Sequence, residues 1–314
     1  MTDKRLTTFT RRATLAMGAG LGLAAALPLP RLAFAQSGPV LSRPIPRSGE
    51  MLPVVGLGTA VIFEFGPNDP QKAERTKVIQ TMIAGGAKLI DTAPSYGPAE
   101  ERIGEILSDL KARDKVFLAT KVRVADRAAS DTEMRNGLKK LRTDKLDLMQ
   151  LHNVRDPKQS LDHLRDWQKQ DVCRYVGMTS SFVRDYDAVA ATLQREKPDF
   201  FQINYSLADR EAEQKLLPIA QDVGAAVLIN LPFGRGKLFK AVQGKQLPDW
   251  AAEFDATSWA QFFLKFLLSH PAVTAVIPGS DKPEYMVDNL KAGQGRMPDA
   301  AMRKKMISFW ESIG

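Results

Sequence analysis

The sequence predicts an α/β fold, a (β/α)8 TIM barrel with a β-hairpin before its first strand and an extra helix after its last unit. From Val54 onward, eight short apolar runs alternate with stretches whose apolar residues recur three and four positions apart. These units occupy roughly 250 residues without a break, which is the usual size of such a barrel. An open doubly wound sheet is disfavoured, because residues 56–59 lack the third glycine of a dinucleotide-binding fingerprint.

Each element of the barrel follows from a local pattern. The predicted strands are residues 54–59, 88–93, 116–121, 146–152, 175–180, 200–206, 225–231 and 274–279. The clearest helical repeats between them are residues 71–84, 132–141 and 185–194. A turn at residues 48–50 between two extended runs predicts a hairpin over residues 43–54, and residues 299–312 predict the terminal helix. Residues 232–256 form the longest irregular connection, and because this loop follows the seventh strand it is a candidate lid.

The composition describes a folded chain without covalent or metal cross-links. Of 314 residues, 44% are hydrophobic and 25% are charged, which argues against disorder and low-complexity structure. Cys173 is the one cysteine in the sequence, so no internal disulfide is expected. The three histidines are scattered and no CxxC pair occurs, so the sequence predicts no metal site.

The net charge also bears on the class of partner. The formal charge is +8 at pH 7, but the first 35 residues carry five of the 44 basic side chains and one of the 36 acidic ones. The rest of the chain therefore has a net charge of +4. A charge this small predicts no nucleic-acid partner.

Residues 1–35 predict a twin-arginine export signal, and residues 36–314 the barrel domain. A basic start that includes Arg11 and Arg12 precedes a run rich in glycine, alanine and leucine, and residues 33–35 form an A-x-A cleavage pattern. Residues 10–15 resemble the signal of a bacterial pathway that exports folded proteins. The pattern predicts a periplasmic protein whose precursor meets the twin-arginine export machinery. An uncleaved membrane anchor and a basic tail on a cytosolic enzyme are the alternatives.

Polar residues end three neighbouring predicted strands. Asp91 ends the second strand, and Tyr96 follows it by five positions. Lys121 ends the third strand and His152 ends the fourth. Because the active sites of such barrels lie at the carboxyl ends of the strands, these four side chains are expected to share one mouth. Taken singly, the three residues at strand ends have structural alternatives: a helix cap for the aspartate, a solvated rim charge for the lysine, and a surface or core position for the histidine.

The four residue types suit proton transfer to a carbonyl oxygen. A tyrosine has a pKa of about 10, and a lysine ammonium beside it is expected to lower that pKa. The aspartate is expected to pair with the lysine, because a partly buried ammonium is costly without a counter-charge. The histidine is expected to donate a hydrogen bond that orients the carbonyl. Because side chains supply no hydride, a nicotinamide cofactor is inferred.

Six short motifs follow one another along the chain, at residues 56–59, 91–97, 119–122, 151–153, 202–206 and 277–280, with Asn289 beyond them. With these motifs, the chain from about Arg43 to its end resembles the aldo-keto reductase family. The resemblance implies NAD(P)H-dependent interconversion of a small carbonyl compound, an aldehyde or ketone, with its alcohol. It also implies a catalytic set in which the tyrosine is the general acid of reduction, namely Asp91, Tyr96, Lys121 and His152.

The same resemblance implies a site for NADPH or NADH. Its implied residues are Gly58, Thr59, Thr179, Ser180, Gln202, Asn230, Pro232, Gly234, Gly236, Ser280, Lys282, Asp288 and Asn289. Thr179, Ser180 and Gln202 would hold the nicotinamide carboxamide, although capping of the next helix is the alternative for the first two. Gly234 and Gly236 would let backbone N–H groups approach the pyrophosphate.

Three positions depart from the family pattern. Asn230 stands where the family commonly has an aromatic ring that stacks on the nicotinamide. Gly279 replaces a lysine of many members, and Tyr285 replaces an arginine that contacts the adenosine 2′-phosphate. Because a single flexible lysine, Lys282, binds phosphate less well than an arginine fork, the preference between NADPH and NADH stays open.

The substrate pocket is expected to be lined by residues 61–65, by Val122 and Arg123, and by residues 250–259. The aromatic residues in these segments predict a hydrophobic carbonyl compound. Arg123 fits either an acidic substrate or a solvated rim charge. A non-catalytic barrel that binds a ligand or partner in the cell envelope is the alternative function, because nicotinamide recycling is not obvious outside the cytoplasm.

Overall fold

The computed structural model describes residues 38–123 and 126–313. The predicted export signal, residues 1–35, lies outside these described residues. The described residues contain the predicted barrel.

The strands form a hairpin and one larger sheet. They are β1 (Ser42–Pro44), β2 (Met51–Pro53), β3 (Leu57–Gly58), β4 (Leu89–Asp91), β5 (Phe117–Val122), β6 (Leu146–Leu151), β7 (Cys173–Ser180), β8 (Phe200–Asn204), β9 (Ala226–Asn230) and β10 (Val273–Val276). Strands β1 and β2 pair antiparallel, whereas β3 to β10 pair in parallel in chain order. Parallel bridges from Val55 to Val276 and from Gly58 to Gly279 join the first and last strands of the larger sheet, so it closes. The predicted TIM barrel and hairpin are confirmed.

Helices alternate with the barrel strands. They are α1 (Gln71–Ala84), α2 (Ala99–Asp109), α3 (Arg127–Leu141), α4 (Asp162–Lys169), α5 (Tyr186–Glu196), α6 (Leu216–Asp222), α7 (Lys237–Ala241), α8 (Trp259–Leu268), α9 (Pro283–Ala292) and α10 (Ala300–Ile313). The helix α10 confirms the predicted C-terminal helix. No helix within the described ranges combines the length and the apolarity that crossing a bilayer requires.

Two apolar layers hold the barrel together. The outer layer packs helix residues such as Val78 and Ile103 against the outward faces of the strands. The inner layer fills the barrel with strand residues such as Leu148 and Phe200, together with Ile45 and Leu52 of the hairpin segment. Because hairpin residues belong to this inner layer, the hairpin covers the amino end of the barrel and leaves the carboxyl ends of the strands for a site.

The connection after β9 is more regular than the sequence suggests. Residues 232–256 contain a 3-10 turn at Gly234–Gly236, the helix α7 and a second 3-10 segment at Asp249–Phe254. Trp259 Nε1 donates to the carbonyl of Lys245 at 3.0 Å, and Arg296 Nη2 donates to the carbonyl of Ala252 at 2.8 Å. The prediction of an irregular connection is therefore wrong, because local hydrogen bonds and contacts with later segments order it.

Candidate active site

A cavity of about 610 Å³ opens at the carboxyl ends of the barrel strands. Asp91, Tyr96 and His152 line it together with Gly58 and residues of the loops after β7 and β9. Asp91 is the last residue of β4, and His152 directly follows β6. The structure thus brings the predicted residues of the second and fourth barrel strands into one mouth.

Lys121 and Asp91 form a buried ion pair beneath this cavity. The lysine Nζ lies 2.7 Å from Asp91 Oδ2 and also donates to the carbonyl of Thr92 at 2.8 Å. Burial alone lowers the pKa of Lys121, but the Asp91 carboxylate and the Tyr96 phenol outweigh burial and raise it. The lysine is therefore a permanent positive charge, placed in the low-dielectric interior where such a charge acts strongly on its neighbours.

Gln150 completes the surroundings of Asp91 and was not singled out from the sequence. Its Nε2 donates to Asp91 Oδ1 at 3.1 Å, so both oxygens of the carboxylate are engaged. Its side chain is fully buried, and its own Oε1 has no hydrogen-bond partner among the described residues. A sequence signal for it exists, because Gln150 lies two positions before His152 and shares its strand face.

The ring of Tyr96 packs over Lys121 and is largely shielded from solvent. Lys121 Nζ is 5.2 Å from the centroid of the Tyr96 ring. Burial raises the pKa of the Tyr96 phenol, and the charge of Lys121 lowers it without cancelling the effect of burial. The lysine thus acts in the predicted direction, but the prediction of a lowered tyrosine pKa is wrong, because desolvation of the phenolate is the larger effect.

His152 stands edge-on to Tyr96. The two ring centroids are 6.1 Å apart and the ring planes make an angle of 86°. Burial first, and then the charges of Lys121, Arg123 and Arg155, lower the pKa of His152 to about 3. The imidazole is therefore neutral at physiological pH, with one nitrogen that donates and one that accepts a hydrogen bond.

The residues implied for the nicotinamide end are only partly at the cavity wall. Gly58, Thr59 and Asn230 line it, whereas Thr179, Ser180 and Gln202 are buried and lie behind the lining residues. Thr179 Oγ1 instead accepts the backbone N–H of Asn153 at 2.9 Å. Ser181, which follows β7, presents its hydroxyl at the wall and accepts from Asn230 Nδ2 at 3.3 Å.

The loop after β9 supplies a second part of the wall. Pro232, Gly236 and Arg235 line the cavity, while Gly234 lies next to the lining residues. Gly236 has a φ of +83°, a left-handed conformation that favours glycine, and among the described residues no atom of a residue distant in the chain lies within 4 Å of where a Cβ would stand. Its backbone is therefore open to a close approach from the cavity.

The residues implied for the adenosine end lie beyond the cavity wall, in and before α9. Asn289 Nδ2 donates to Ser280 Oγ at 2.9 Å. Asp288 accepts from Ser258 Oγ and from Gln261 Nε2, each at 2.6 Å, and so ties α9 to the start of α8. Lys282 Nζ lies 5.6 Å from the centroid of the Tyr285 ring.

The predicted substrate pocket needs correction. Val61, Ile62 and Glu64 line the cavity, but Phe63 and Phe65 point into the hydrophobic core. The reason is a turn after β3, in which the N–H of Phe63 donates to the carbonyl of Thr59.

The aromatic side chains of residues 250–259 also fail to reach the cavity. The ring of Trp250 packs on Phe262 and Phe309, and that of Trp259 stacks on Phe263, in a separate aromatic cluster. Two rings that the sequence did not suggest, Phe182 and Phe233, line the cavity instead. Val122 is buried in the core, and Arg123 borders a neighbouring cleft.

Comparisons with known proteins agree with this geometry. Residues 54–305 match the family model described as Aldo/keto reductase family. The sequence is 31% identical over 219 residues to aldo-keto reductase YhdN of Bacillus subtilis. This alignment covers 64% of this chain and 63% of YhdN, so the chain spans less than two thirds of that relative. It is 29% identical over 239 residues to methylglyoxal reductase YeaE of Escherichia coli, covering 73% of this chain and 82% of YeaE. The fold is similar to that of an aldo-keto reductase from Klebsiella pneumoniae in complex with NADPH, with a TM-score of 0.70 and 26% identity over 83% of this chain and 92% of that one.

Proposed function

The chain belongs to the aldo/keto reductase family, and we propose that it catalyses NADPH-dependent reduction of a small aldehyde or ketone, with Tyr96 as the proton donor. The observation that carries the proposal is the buried pair of Lys121 and Asp91 placed directly under Tyr96 and beside His152. A barrel that only binds a ligand has no evident need for this buried ion pair, which is costly to assemble.

The proposed proton transfer follows from the protonation states. Tyr96 has a raised pKa, so its hydroxyl carries a proton at neutral pH and can donate it to a carbonyl oxygen. As the phenol gives up the proton, the charge of Lys121 stabilises the phenolate that forms. The neutral imidazole of His152 donates a second hydrogen bond that orients the carbonyl, and Asp91 keeps the lysine in place.

Polar groups at the cavity and directly behind its wall fit a nicotinamide cofactor. Gln202 Nε2 and Asn230 Oδ1 are buried and have no hydrogen-bond partner among the described residues, so one donor and one acceptor are available for a carboxamide. The open backbone at Gly236, with Arg235 beside it, suits the approach of a pyrophosphate. When bound, this cofactor supplies the hydride that side chains cannot supply.

We propose NADPH as the cofactor, as in the Klebsiella pneumoniae relative. The specificity-determining charge on this chain would be Lys282, since Tyr285 occupies the position of the family's arginine. A single ammonium binds a phosphate less rigidly than a guanidinium fork, so a modest preference over NADH is expected.

Nucleotide binding and turnover test this proposal together. The purified chain is titrated with NADPH and with NADH, followed by tryptophan fluorescence, and then assayed with methylglyoxal and benzaldehyde by the loss of NADPH absorbance. Tyr96→Phe is expected to abolish reduction while the fluorescence change on NADPH binding is retained. The proposal is wrong if neither nucleotide binds at millimolar concentration.

We also propose that the precursor is exported to the periplasm through the twin-arginine pathway. Support comes from Arg11 and Arg12 ahead of an apolar run and an A-x-A pattern, all within residues 1–35. Replacing both arginines by lysine is expected to retain the full-length precursor in the cytoplasm, although the charge is unchanged. Arg5→Lys is the matched control, and an undiminished periplasmic yield of the double variant would overturn the proposal.

A further inference from the structure

A second cleft, of about 380 Å³, opens next to His152 and differs in character from the main cavity. Its lining is polar and consists of Ser95, Arg123, His152, Asn153, Arg155 and Gln159. Ser95, His152 and Asn153 also line the main cavity, so the two spaces adjoin around the imidazole. A molecule whose carbonyl lies at His152 would have its remaining part within reach of two arginines.

Arg123 is anchored on one side and free on the other. Its Nε lies 2.7 Å from Glu133 Oε1, and its backbone N–H donates to Glu133 Oε2 at 2.6 Å. Its two terminal nitrogens have no hydrogen-bond partner in the part of the chain that the structure describes. The glutamate therefore fixes the side chain and leaves the terminal N–H groups available for an anion.

Arg155 is also held in place, but by an aromatic ring instead of a carboxylate. Its guanidinium lies 5.0 Å from the centroid of the Phe182 ring, and the carboxylate of Asp185 is 3.9 Å from its Nε, beyond hydrogen-bond distance. The loop that carries it is closed by Gln159 Oε1, which accepts the backbone N–H of Arg155 at 2.9 Å. The terminal nitrogens of Arg155 likewise make no hydrogen bond to the described residues.

The local field supports binding of an anion at this point. The charges that act on the His152 imidazole are those of Lys121, Arg123 and Arg155, which are all positive. Glu133 offsets part of the positive charge of Arg123, and Asp185 part of that of Arg155. Each carboxylate lies on the Nε side of the guanidinium, away from the terminal nitrogens. A carboxylate that accepts from terminal guanidinium nitrogens forms the strong, charge-assisted kind of hydrogen bond.

We infer that the carbonyl substrate is anionic, with a carboxylate or similar group bound by Arg123 and Arg155 while its carbonyl oxygen faces Tyr96 and His152. This inference rests on the proposed reductase function and adds the substrate class to it. It selects the acidic substrate that Arg123 left open in the sequence. The aromatic residues from which a hydrophobic substrate was expected, such as Phe63 and Trp259, lie in the core and in a separate cluster, and Phe182 and Phe233 are the rings at the cavity.

Matched pairs of acids and esters test the inference. The full chain is assayed with NADPH on 4-oxobutanoate and 4-carboxybenzaldehyde, each beside its methyl ester, which keeps the aldehyde and removes the charge. The wild type is expected to have the higher kcat/KM on both acids, and this preference is expected to shrink as salt screens the arginines. Arg123→Gln and Arg155→Gln are each expected to lower kcat/KM for the acids about tenfold or more, as loss of a charged hydrogen bond does, with the esters little affected.

Arg184→Gln is the control variant. Arg184 lies over the same Phe182 ring, 4.9 Å from its centroid, but is not among the described residues that line the cleft. It is expected to leave the ratio of acid to ester unchanged.

Four results would contradict the inference in separable ways. Equal kcat/KM for acids and esters in the wild type would overturn the anionic substrate and leave the reductase function standing. A loss of NADPH affinity in the two arginine variants, with NADH affinity unchanged, would assign the arginines to the cofactor phosphate instead. Reduction of methylglyoxal or benzaldehyde but of none of the four test aldehydes would overturn the inference alone, whereas absence of NADPH and NADH binding would overturn the reductase function and the inference with it.

Discussion

The two ends of the barrel each carry a tyrosine beside a cation and a carboxylate, and they differ in what covers them. At the amino end, the Tyr175 hydroxyl lies 2.8 Å from Ser48 Oγ and 2.7 Å from Glu50 Oε2, both in the hairpin. The guanidinium of Arg174 is 5.2 Å from the centroid of the Tyr175 ring. The hydrogen-bonding groups of this tyrosine are satisfied within the protein.

At the carboxyl end, Lys121 Nζ is also 5.2 Å from the ring centroid of Tyr96, but this ring borders a cavity. The cation here is fully buried, whereas the side chain of Arg174 is 38% exposed. The comparison teaches that the residue types alone do not make a site. Burial of the charged pair and open space above the phenol distinguish the proposed active end from the structural one.

The two ends of the barrel are expected to differ most in the stability and activity that remain when the cation at each end is removed. Lys121→Met leaves Asp91 buried without its partner, so we expect a loss of about 3–5 kcal/mol in the free energy of unfolding and no measurable reduction. Arg174→Met removes the partly exposed pair with Glu50 and a second pair with Asp147, which keeps Arg113 as a partner, so it is expected to cost about 0–1 kcal/mol with activity retained. Urea denaturation and turnover of both variants check this, and similar losses at the two ends would show that burial does not separate them.

A second difference is the dependence of stability on pH, since the carboxyl end contains an imidazole with a lowered pKa. The folded state keeps His152 neutral down to a pKa of about 3, whereas the unfolded chain takes up the proton near pH 6.5. The contribution of this group to the free energy of unfolding is therefore fully present above pH 6.5 and is lost as the pH falls toward 3. At pH 5 the loss amounts to about 2 kcal/mol. Denaturation curves at pH 8 and pH 5 measure the drop in the free energy of unfolding between these two pH values. This drop is expected to be smaller in His152→Gln than in the wild type, and an equal drop in both proteins would contradict the expectation.

A further effect is expected from Gln150, which we propose to act on the reaction as a positioning residue, through its hydrogen bond to Asp91. Gln150→Leu removes one hydrogen bond to a charged carboxylate. We expect the activation free energy to rise by about 1–3 kcal/mol, which lowers kcat and changes KM little. Gln150→Glu places a second carboxylate at the same position, so its activity is expected to recover as pH falls and one acid becomes protonated. A purely structural glutamine would give two variants with the wild-type pH profile.

The smallest effect is expected at the covered end. Tyr175→Phe removes the hydroxyl that meets Ser48 and Glu50, so the free energy of unfolding is expected to fall by about 1 kcal/mol. Reduction is expected to be unchanged, because the hairpin lies at the opposite end from the cavity. Denaturation and turnover measure both quantities, and a clear loss of kcat would mean that the two ends are coupled.

The barrel and the meeting of Asp91 with Lys121 were predictable because strand ends of a parallel barrel converge on one face. Gln150 was also within reach, as a polar residue on an interior strand face. The orientation of Phe63 and Phe65 was not, because the chain turns after β3, where Val61 has a φ of 69°, and the contacts of that turn decide which side chains face the cavity and which face the core. The balance between burial and Lys121 in the pKa of Tyr96 likewise depends on the depth of the ring in the folded chain.

The most direct test of the account compares two Tyr→Phe variants on one substrate with saturating NADPH. Tyr96→Phe is expected to lower kcat/KM by about 10²–10⁴-fold, the contribution of a general acid, while Tyr175→Phe stays at the wild-type value. Comparable activity of the two variants would contradict the claim that the phenol above the buried ion pair donates the proton.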